Sequence, residues 1–270
     1  MLGTGHQLGD DDVMDDERIA GPDLQAGEPA ALRHLAAAAG GIGRPGVAAA
    51  LRRWVADDTW VKRLLTARRW MSRAYFEARY FIPDPWRLAT SLYEHRRFQA
   101  SMDMLAGRRY GRALEVGCGE GIFTALLLDR CDHVVALDFS RLAVRRARRR
   151  FAGTPGVEVR SLDVRVADPG GAFDLVFCAE LFYYMSRREF EDVAARMVRW
   201  VAPGGDLCLV HGTSVHDAGP RADGAGAIGE MSARVIYDRF CRVPGLSVIH
   251  DRRLPRYRLT LLRRLEAPRG

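Results

Sequence analysis

The chain of 270 residues carries a formal charge of +7 and is 48% hydrophobic and 28% charged. That composition supports a packed core and excludes collagen-like, disulfide-scaffold and wholly disordered architectures. No window approaches the ~18 consecutive apolar residues of a membrane-spanning helix, and the richest run, 175–185, is short and broken by Glu180.

In chain order, residues 1–28 hold eight acids against the single base Arg18 and contain no aromatic residue, a pattern expected of a disordered acidic tail. The opening stretch lacks the basic and apolar parts of a secretory signal, which points to a cytoplasmic protein. The rest of the chain carries +14, nearly all as Arg, since Lys62 is the only lysine. Such uniform use of Arg reflects codon composition more than a nucleic-acid partner. From 29 to 107 the pattern predicts a helical extension: an Ala-rich run at 30–39, a Gly/Pro break at 40–45, then Leu51, Trp54, Val55, Leu64 and Leu65 at helical spacings. The same segment holds Trp60, Trp70, Tyr75, Phe76, Tyr80, Tyr93 and Phe98, a density suited to helix packing. Pro85 holds Asp84 extended and is expected to start a new helix running to about Leu105.

From Arg112 the pattern alternates. Short apolar strands at 113–117, 133–138, 157–162, 174–179 and 206–212 are separated by amphipathic helices, two of them at 140–151 and about 187–201. Strand-helix alternation predicts an α/β domain over 108–270, a parallel sheet covered on both faces by helices with ligands beyond the C-terminal strand ends. Residues 213–229, rich in Gly, Ala and Asp, form a candidate lid. The segments 246–254 and 257–265 are expected to finish the sheet as an antiparallel pair around Pro255-Arg256.

The sharpest motif is Glu115-Val116-Gly117-Cys118-Gly119-Glu120-Gly121, where a strand opens into a helix. Its glycines let the backbone turn tightly and approach a ligand, and the helix N-terminus adds a partial positive charge. The spacing is G-x-G-x-G; a dinucleotide fingerprint needs a glycine where this chain has Ile122. Asp138, at the end of the second strand, is the acid expected to accept ribose hydroxyls. Glu180 follows an apolar strand, where a carboxylate is costly unless it is paired; Tyr183 and Tyr184 come after it, and His211 ends the fifth strand. Cys118, Cys131, Cys178, Cys208 and Cys241 stand singly, with no C-x-x-C pair, which predicts free thiols and no metal site. Arg141, Arg145, Arg146, Arg148, Arg149 and Arg150 make one helix strongly basic, read as a solvated face.

With these motifs the chain resembles the class I S-adenosylmethionine-dependent methyltransferases over roughly 112–265. The resemblance implies a Rossmann-like fold, a seven-stranded, mostly parallel sheet with helices on both faces and an N-terminal helical cap. It places Glu115, Gly117, Cys118, Gly119 and Gly121 under the methionine part of the cofactor, Asp138 and Phe139 at the ribose, Asp163 and Val164 at the adenine, and Ala179 in the fourth-strand motif. The cofactor implied is S-adenosylmethionine, leaving as S-adenosylhomocysteine, with no metal.

A narrower resemblance rests on Tyr80-Phe81-Ile82-Pro83-Asp84-Pro85-Trp86-Arg87, Tyr93-Glu94-His95-Arg96-Arg97, 179–184 and Tyr257-Arg258-Leu259. These segments look like the nodulation protein S family, N-methyltransferases acting on a free amino group of a chitooligosaccharide. It implies a small-molecule acceptor, an amino sugar or another amine-bearing metabolite, and places Trp86 and Arg87 over the methionine carboxylate. Methyl transfer needs alignment and exclusion of water; an amine needs only to be unprotonated, whereas a hydroxyl usually also needs a base. The catalytic candidates are Glu180, His211 and Tyr184. Methylation of a natural-product hydroxyl is the alternative, favoured if His211 stands beside Glu180. An RNA methyltransferase fits poorly, because the residues after the fourth strand lack the Asp/Asn-Pro-Pro-aromatic pattern. No membrane partner is expected, and nothing in the pattern specifies an oligomeric state.

Overall fold

The computed structural model describes residues 73–213 and 231–266. The expected acidic tail, the part of the helical extension before Arg73 and the candidate lid beyond Thr213 lie outside the described residues. Among the described residues two helices, α1 (Arg73–Arg79) and α2 (Leu92–Met104), precede β1 (Tyr110–Val116). There follow α3 (Ile122–Leu127), β2 (Cys131–Asp138), α4 (Arg141–Arg150), β3 (Val157–Ser161), β4 (Phe173–Ala179) and a 3-10 turn (Phe182–Tyr184). The chain continues through α5 (Arg187–Trp200), β5 (Val201–Gly212), α6 (Ala233–Cys241), β6 (Leu246–Arg253) and β7 (Tyr257–Arg264).

The strands form one seven-stranded sheet in the order β3-β2-β1-β4-β5-β7-β6. The first five run parallel, and β7 lies antiparallel to both β5 and β6. This is the predicted architecture, including the antiparallel finish. Successive residues of a strand point to opposite faces, and the sheet uses both. Leu114, Val135, Val176, Leu207 and Leu209 pack under α5 and α6 with Phe190, Trp200 and Phe240. Ala113, Val134, Leu175, Phe177, Cys208 and Val210 pack on the other side with Phe98 of α2 and Phe123 of α3.

Helix starts follow local chemistry. Ser140 caps α4 by accepting a hydrogen bond from the Ala143 N–H at 3.2 Å, and Ser186 with Glu189 forms a reciprocal capping box at α5. The helix expected to begin at Pro85 does not: the chain turns from 82 to 91, and α2 starts at Leu92. Asp84 and Arg87 lie in the left-handed region, with φ of 48° and 56°, and the Asp84 carboxylate accepts hydrogen bonds from the Leu88 and Ala89 N–H groups at 2.6 and 3.1 Å. A short acid satisfying nearby backbone donors stabilises a turn against a helix. The described cysteines are free thiols, four of them buried. Among the described residues no helix is long and apolar enough to cross a membrane, and no cluster of His, Cys, Asp or Glu could hold a metal ion.

Candidate active site

A cavity of about 260 Å³ lies over the C-terminal ends of β1, β2 and β4, roofed by α1 and α2. Its floor is the loop after β1. Gly119 has φ +55°, and a side chain there would put its first carbon 2.8 Å from the Tyr80 hydroxyl oxygen, so only glycine lets the roof come down this close. The Asp138 carboxylate accepts hydrogen bonds from the N–H groups of Gly119 at 2.9 Å and Ser140 at 2.8 Å. It therefore fixes the loop after β1 and the start of α4 together, and each oxygen keeps a second lone pair for a ligand hydroxyl. Burial raises its pKa to about 6, against the lowering effect of those donors. Glu115 is also buried in the wall; its carboxylate accepts the Thr124 hydroxyl at 2.5 Å, and burial raises it to about 7.

The roof is aromatic and latched. Phe76 packs edge-on against Phe139 and Tyr184, with ring centroids 5.0 Å away in both cases, and Tyr80 packs against Trp86 at 5.0 Å. Glu77 of α1 accepts hydrogen bonds from the Arg141 and Leu142 N–H groups at 2.6 and 3.2 Å and from the Ser140 hydroxyl at 3.2 Å. A carboxylate at a helix N-terminus is favoured both by the orphan N–H groups and by the helix dipole. A second latch joins Glu120 to the Asp84 N–H and to Arg146 at 2.6 Å, while Arg146 donates to the Phe81 and Ile82 carbonyls. Arg146, Arg148 and Arg150 of the basic helix are thus bonded to carbonyls or acids of this chain.

At the other end, charged groups from three elements meet. Arg97 of α2 is only 5% exposed and donates to Glu94 from Nε at 2.8 Å; its Nη2 lies 2.5 Å from the same oxygen. Its Nη1 lies 3.4 Å from Oε1 of Glu180. Glu180 follows β4 with φ of 50°, a backbone state costing a non-glycine residue of order 1–3 kcal/mol and concentrated at functional sites. Two bonds hold it there: its N–H donates to the Val210 carbonyl at 2.9 Å, and its carboxylate accepts the Gly212 N–H at 2.6 Å. Burial raises the Glu180 pKa, although Arg97 and the Gly212 N–H oppose the shift.

Trp86, Glu115, Gly117, Cys118, Gly119, Asp138, Phe139, Asp163, Val164, Ala179, Glu180 and Tyr184 all line this one cavity. Three expected residues do not. Gly121 is the N-cap of α3, and a side chain there would meet the Phe151 ring at 2.6 Å; it serves packing behind the loop. Arg87 is exposed on the turn and does not line the cavity, away from the methionine-carboxylate position that the resemblance gives it. His211 is fully buried, its ring stacked on Phe182 at 5.3 Å and set edge-on to Tyr183 and Tyr237. It shares its face of β5 with Leu207 and Leu209, whereas Val210 faces the cavity, so the expected base lies in the opposite layer of the sheet.

Sequence reasoning missed Arg97, Glu94 and Arg165 as cavity residues. The first two lay within a noted motif, and the signal was available: Tyr93, Arg97 and Ser101 repeat every four residues along one face of α2. Arg165 grips the Asp163 carboxylate with two side-chain bonds of 2.9 and 2.7 Å. Those bonds hold Asp163 below its ordinary range although burial acts the other way.

This chemistry fits an adenosine ligand with a charged tail: a glycine floor open to close approach, an acid with free lone pairs at the end of β2, aromatic cover, and a charged far end. Comparison with known proteins agrees. The family model described as Nodulation protein S (NodS) matches residues 72–236, more than half of the chain. The chain is 34% identical to Nodulation protein S of Rhizobium tropici over 126 residues, 46% of this chain and 53% of that protein. It is 31% identical to that of Sinorhizobium fredii over 188 residues, 64% of this chain and 82% of that protein. The matched stretch thus spans about half of one relative and most of the other. The crystal structure of the N-methyltransferase NodS from Bradyrhizobium japonicum WM9 with S-adenosyl-L-homocysteine shares the fold, with a TM-score of 0.63 at 24% identity over 72% of this chain and 98% of that one.

Proposed function

We propose, for a chain that belongs to the nodulation protein S family and is an S-adenosylmethionine-dependent methyltransferase, that the group methylated is an amine of a small molecule, an amino sugar or another amine-bearing metabolite. The Bradyrhizobium japonicum relative is described as an N-methyltransferase. The observation that carries the reading in this chain is Glu180: a carboxylate held in the cavity wall by a strained backbone, paired with Arg97 and adjoined by Glu94. These three groups sum to one negative charge, which favours a cationic acceptor.

The cofactor supplies a methyl group on a sulfonium that is already a good leaving group. The residues of this chain bind, orient and exclude water. Gly117 and Gly119 would give backbone access to the methionine part, and the Asp138 carboxylate would accept hydrogen bonds from ribose hydroxyls. Phe76, Tyr80, Trp86 and Tyr184 exclude water from the space between. Glu180 attracts the acceptor ammonium and takes its proton, leaving the nitrogen lone pair free; its raised pKa suits that role. Alignment of this kind contributes several kcal/mol to catalysis.

The hydroxyl alternative is favoured if His211 stands beside Glu180, and His211 lies in the opposite layer of the sheet. The test is methyl transfer from labelled S-adenosylmethionine to matched pairs of amino sugars and their hydroxyl analogues, with products identified by mass spectrometry. Turnover of the amines alone is the expected result; turnover confined to the hydroxyl partners would overturn the reading.

A further inference from the structure

We propose that the outer face of α4 is the docking site of this chain's own acidic segment, residues 10–17. Arg141, Arg145, Arg148 and Arg149 recur at helical spacing along one side of α4, and all four are exposed. With Val144, Ala152 and Ser161 they line a groove of about 590 Å³ beside the edge strand β3. The two sides of the helix are used differently. Arg146 and Arg150 turn toward the roof, where they bond Glu120 and the Phe81 and Ile82 carbonyls. Among the described residues none of the four groove arginines pairs with an acid; Arg148 is fixed by its Nε bond to the Val159 carbonyl. Like charges four residues apart destabilise a helix, so this row gains from a counter-charge.

The chain holds one of matching form. Six of the eight acids of residues 1–28 are Asp10, Asp11, Asp12, Asp15, Asp16 and Glu17, two acidic triplets with Val13 and Met14 between them. The groove offers the complement, arginines flanking Val144 and Ala152. The described chain also begins beside it: Arg73 lies over the Phe139 ring at 6.0 Å, and Glu77 joins α1 to the start of α4. Residues 18–72, at about 1.5 Å each even in a helix, span the ~15 Å of α4 several times over. Tethering makes the contact intramolecular and favours the chain's own segment over a free polyanion. Docked there, the segment neutralises the basic face and keeps free polyanions off it. This inference stands apart from the methyl-transfer reading.

Lys62 is the only lysine, so a carbodiimide, which joins an amine to a carboxylate, reports on amines introduced at chosen places. Arg145→Lys/Arg149→Lys keeps the charge of the groove; Arg252→Lys puts an exposed amine on β6, at the opposite edge of the sheet. In the full chain the groove variant should link to the tryptic peptide 1–18 at least about tenfold more than the β6 variant, read by mass spectrometry. The yield should not depend on protein concentration and should collapse at about 1 M salt, where charges are screened beyond roughly 3 Å. Equal yields at the two edges, or no link to 1–18, overturn the proposal. A link found only between isotopically distinct copies gives the groove to a second copy and overturns it as well. Salt-sensitive binding of a single-stranded RNA by the unsubstituted chain, lost in Arg145→Gln/Arg149→Gln, assigns the groove to nucleic acid instead.

Discussion

The two ends of the cavity are built in different ways. The floor is local: Glu115, Gly117, Cys118 and Gly119 lie within five residues, and Asp138 reaches them because β2 pairs with β1. The far end is assembled from a distance: Arg97 comes from α2, Glu180 follows β4, and the Gly212 N–H that orients Glu180 ends β5. On the function proposed above, the local motif holds the donor and the meeting of remote elements sets the acceptor.

Replacing Asp138 with Ala tests the local end most severely. The substitution removes the acceptor for ligand hydroxyls and also frees the Gly119 and Ser140 N–H groups. S-adenosylhomocysteine binding should weaken by about 1–3 kcal/mol, measured by calorimetry. Unchanged affinity would detach the β2 acid from the cofactor.

At the remote end, Glu180→Gln keeps size and the Gly212 contact but removes the charge. An increase of about tenfold in KM for an amine acceptor, with cofactor affinity held, would mark Glu180 as an acceptor residue. A matching loss of cofactor affinity would merge the two ends into one.

Protonation sharpens the contrast. Asp138 and Glu115 are raised by burial to about 6 and about 7, so the folded, ligand-free chain binds more protons than the unfolded chain between about pH 4 and 7. Stability from this source is present at the low end of that window and is lost as pH rises through it, by at most about 1.4 kcal/mol per pH unit and group. Thermal unfolding of the ligand-free chain should follow that sign, and Glu115→Gln should flatten the slope. Cofactor affinity should instead rise through about pH 6, as Asp138 becomes a full acceptor.

Smaller effects are expected away from both ends. Glu77→Ala strips the α1 latch from the start of α4, and the loss of a helix cap costs typically about 1 kcal/mol; a few-fold faster release of S-adenosylhomocysteine in stopped flow is the expected sign. His211→Phe should leave kcat within a few-fold, since the ring packs against Phe182, Tyr183 and Tyr237 outside the cavity. A kcat drop of a hundredfold or more with an intact melting transition would restore a base at that position.

Most of the architecture was legible because each strand and helix carries its own periodicity. The expected strands at 133–138, 157–162 and 174–179 match β2, β3 and β4 to within two residues at either end. The start of α2 was not legible, since Pro85 permits a helix start and only the bonds from Leu88 and Ala89 to Asp84 show that the chain turns first. Glu180 was legible as a misfit, a carboxylate after an apolar strand. Its neighbour in expectation, His211, misled for a reason of parity: one step along β5 separates Val210, facing the cavity, from His211, facing α6.

The sequence by itself determined the alternation of strands and helices from β1 to β5, the antiparallel pair that ends the sheet, the glycine floor, the acid after β2 and the family, because these depend on residues close together in the chain and on period alone; α6 it did not show. Only the tertiary structure decided which guanidinium enters the cavity, Arg97 rather than Arg87, and which side of the sheet His211 faces. A side chain's direction depends on where its helix or strand sits against the rest of the sheet, and the charges at the far end come from segments more than eighty residues apart.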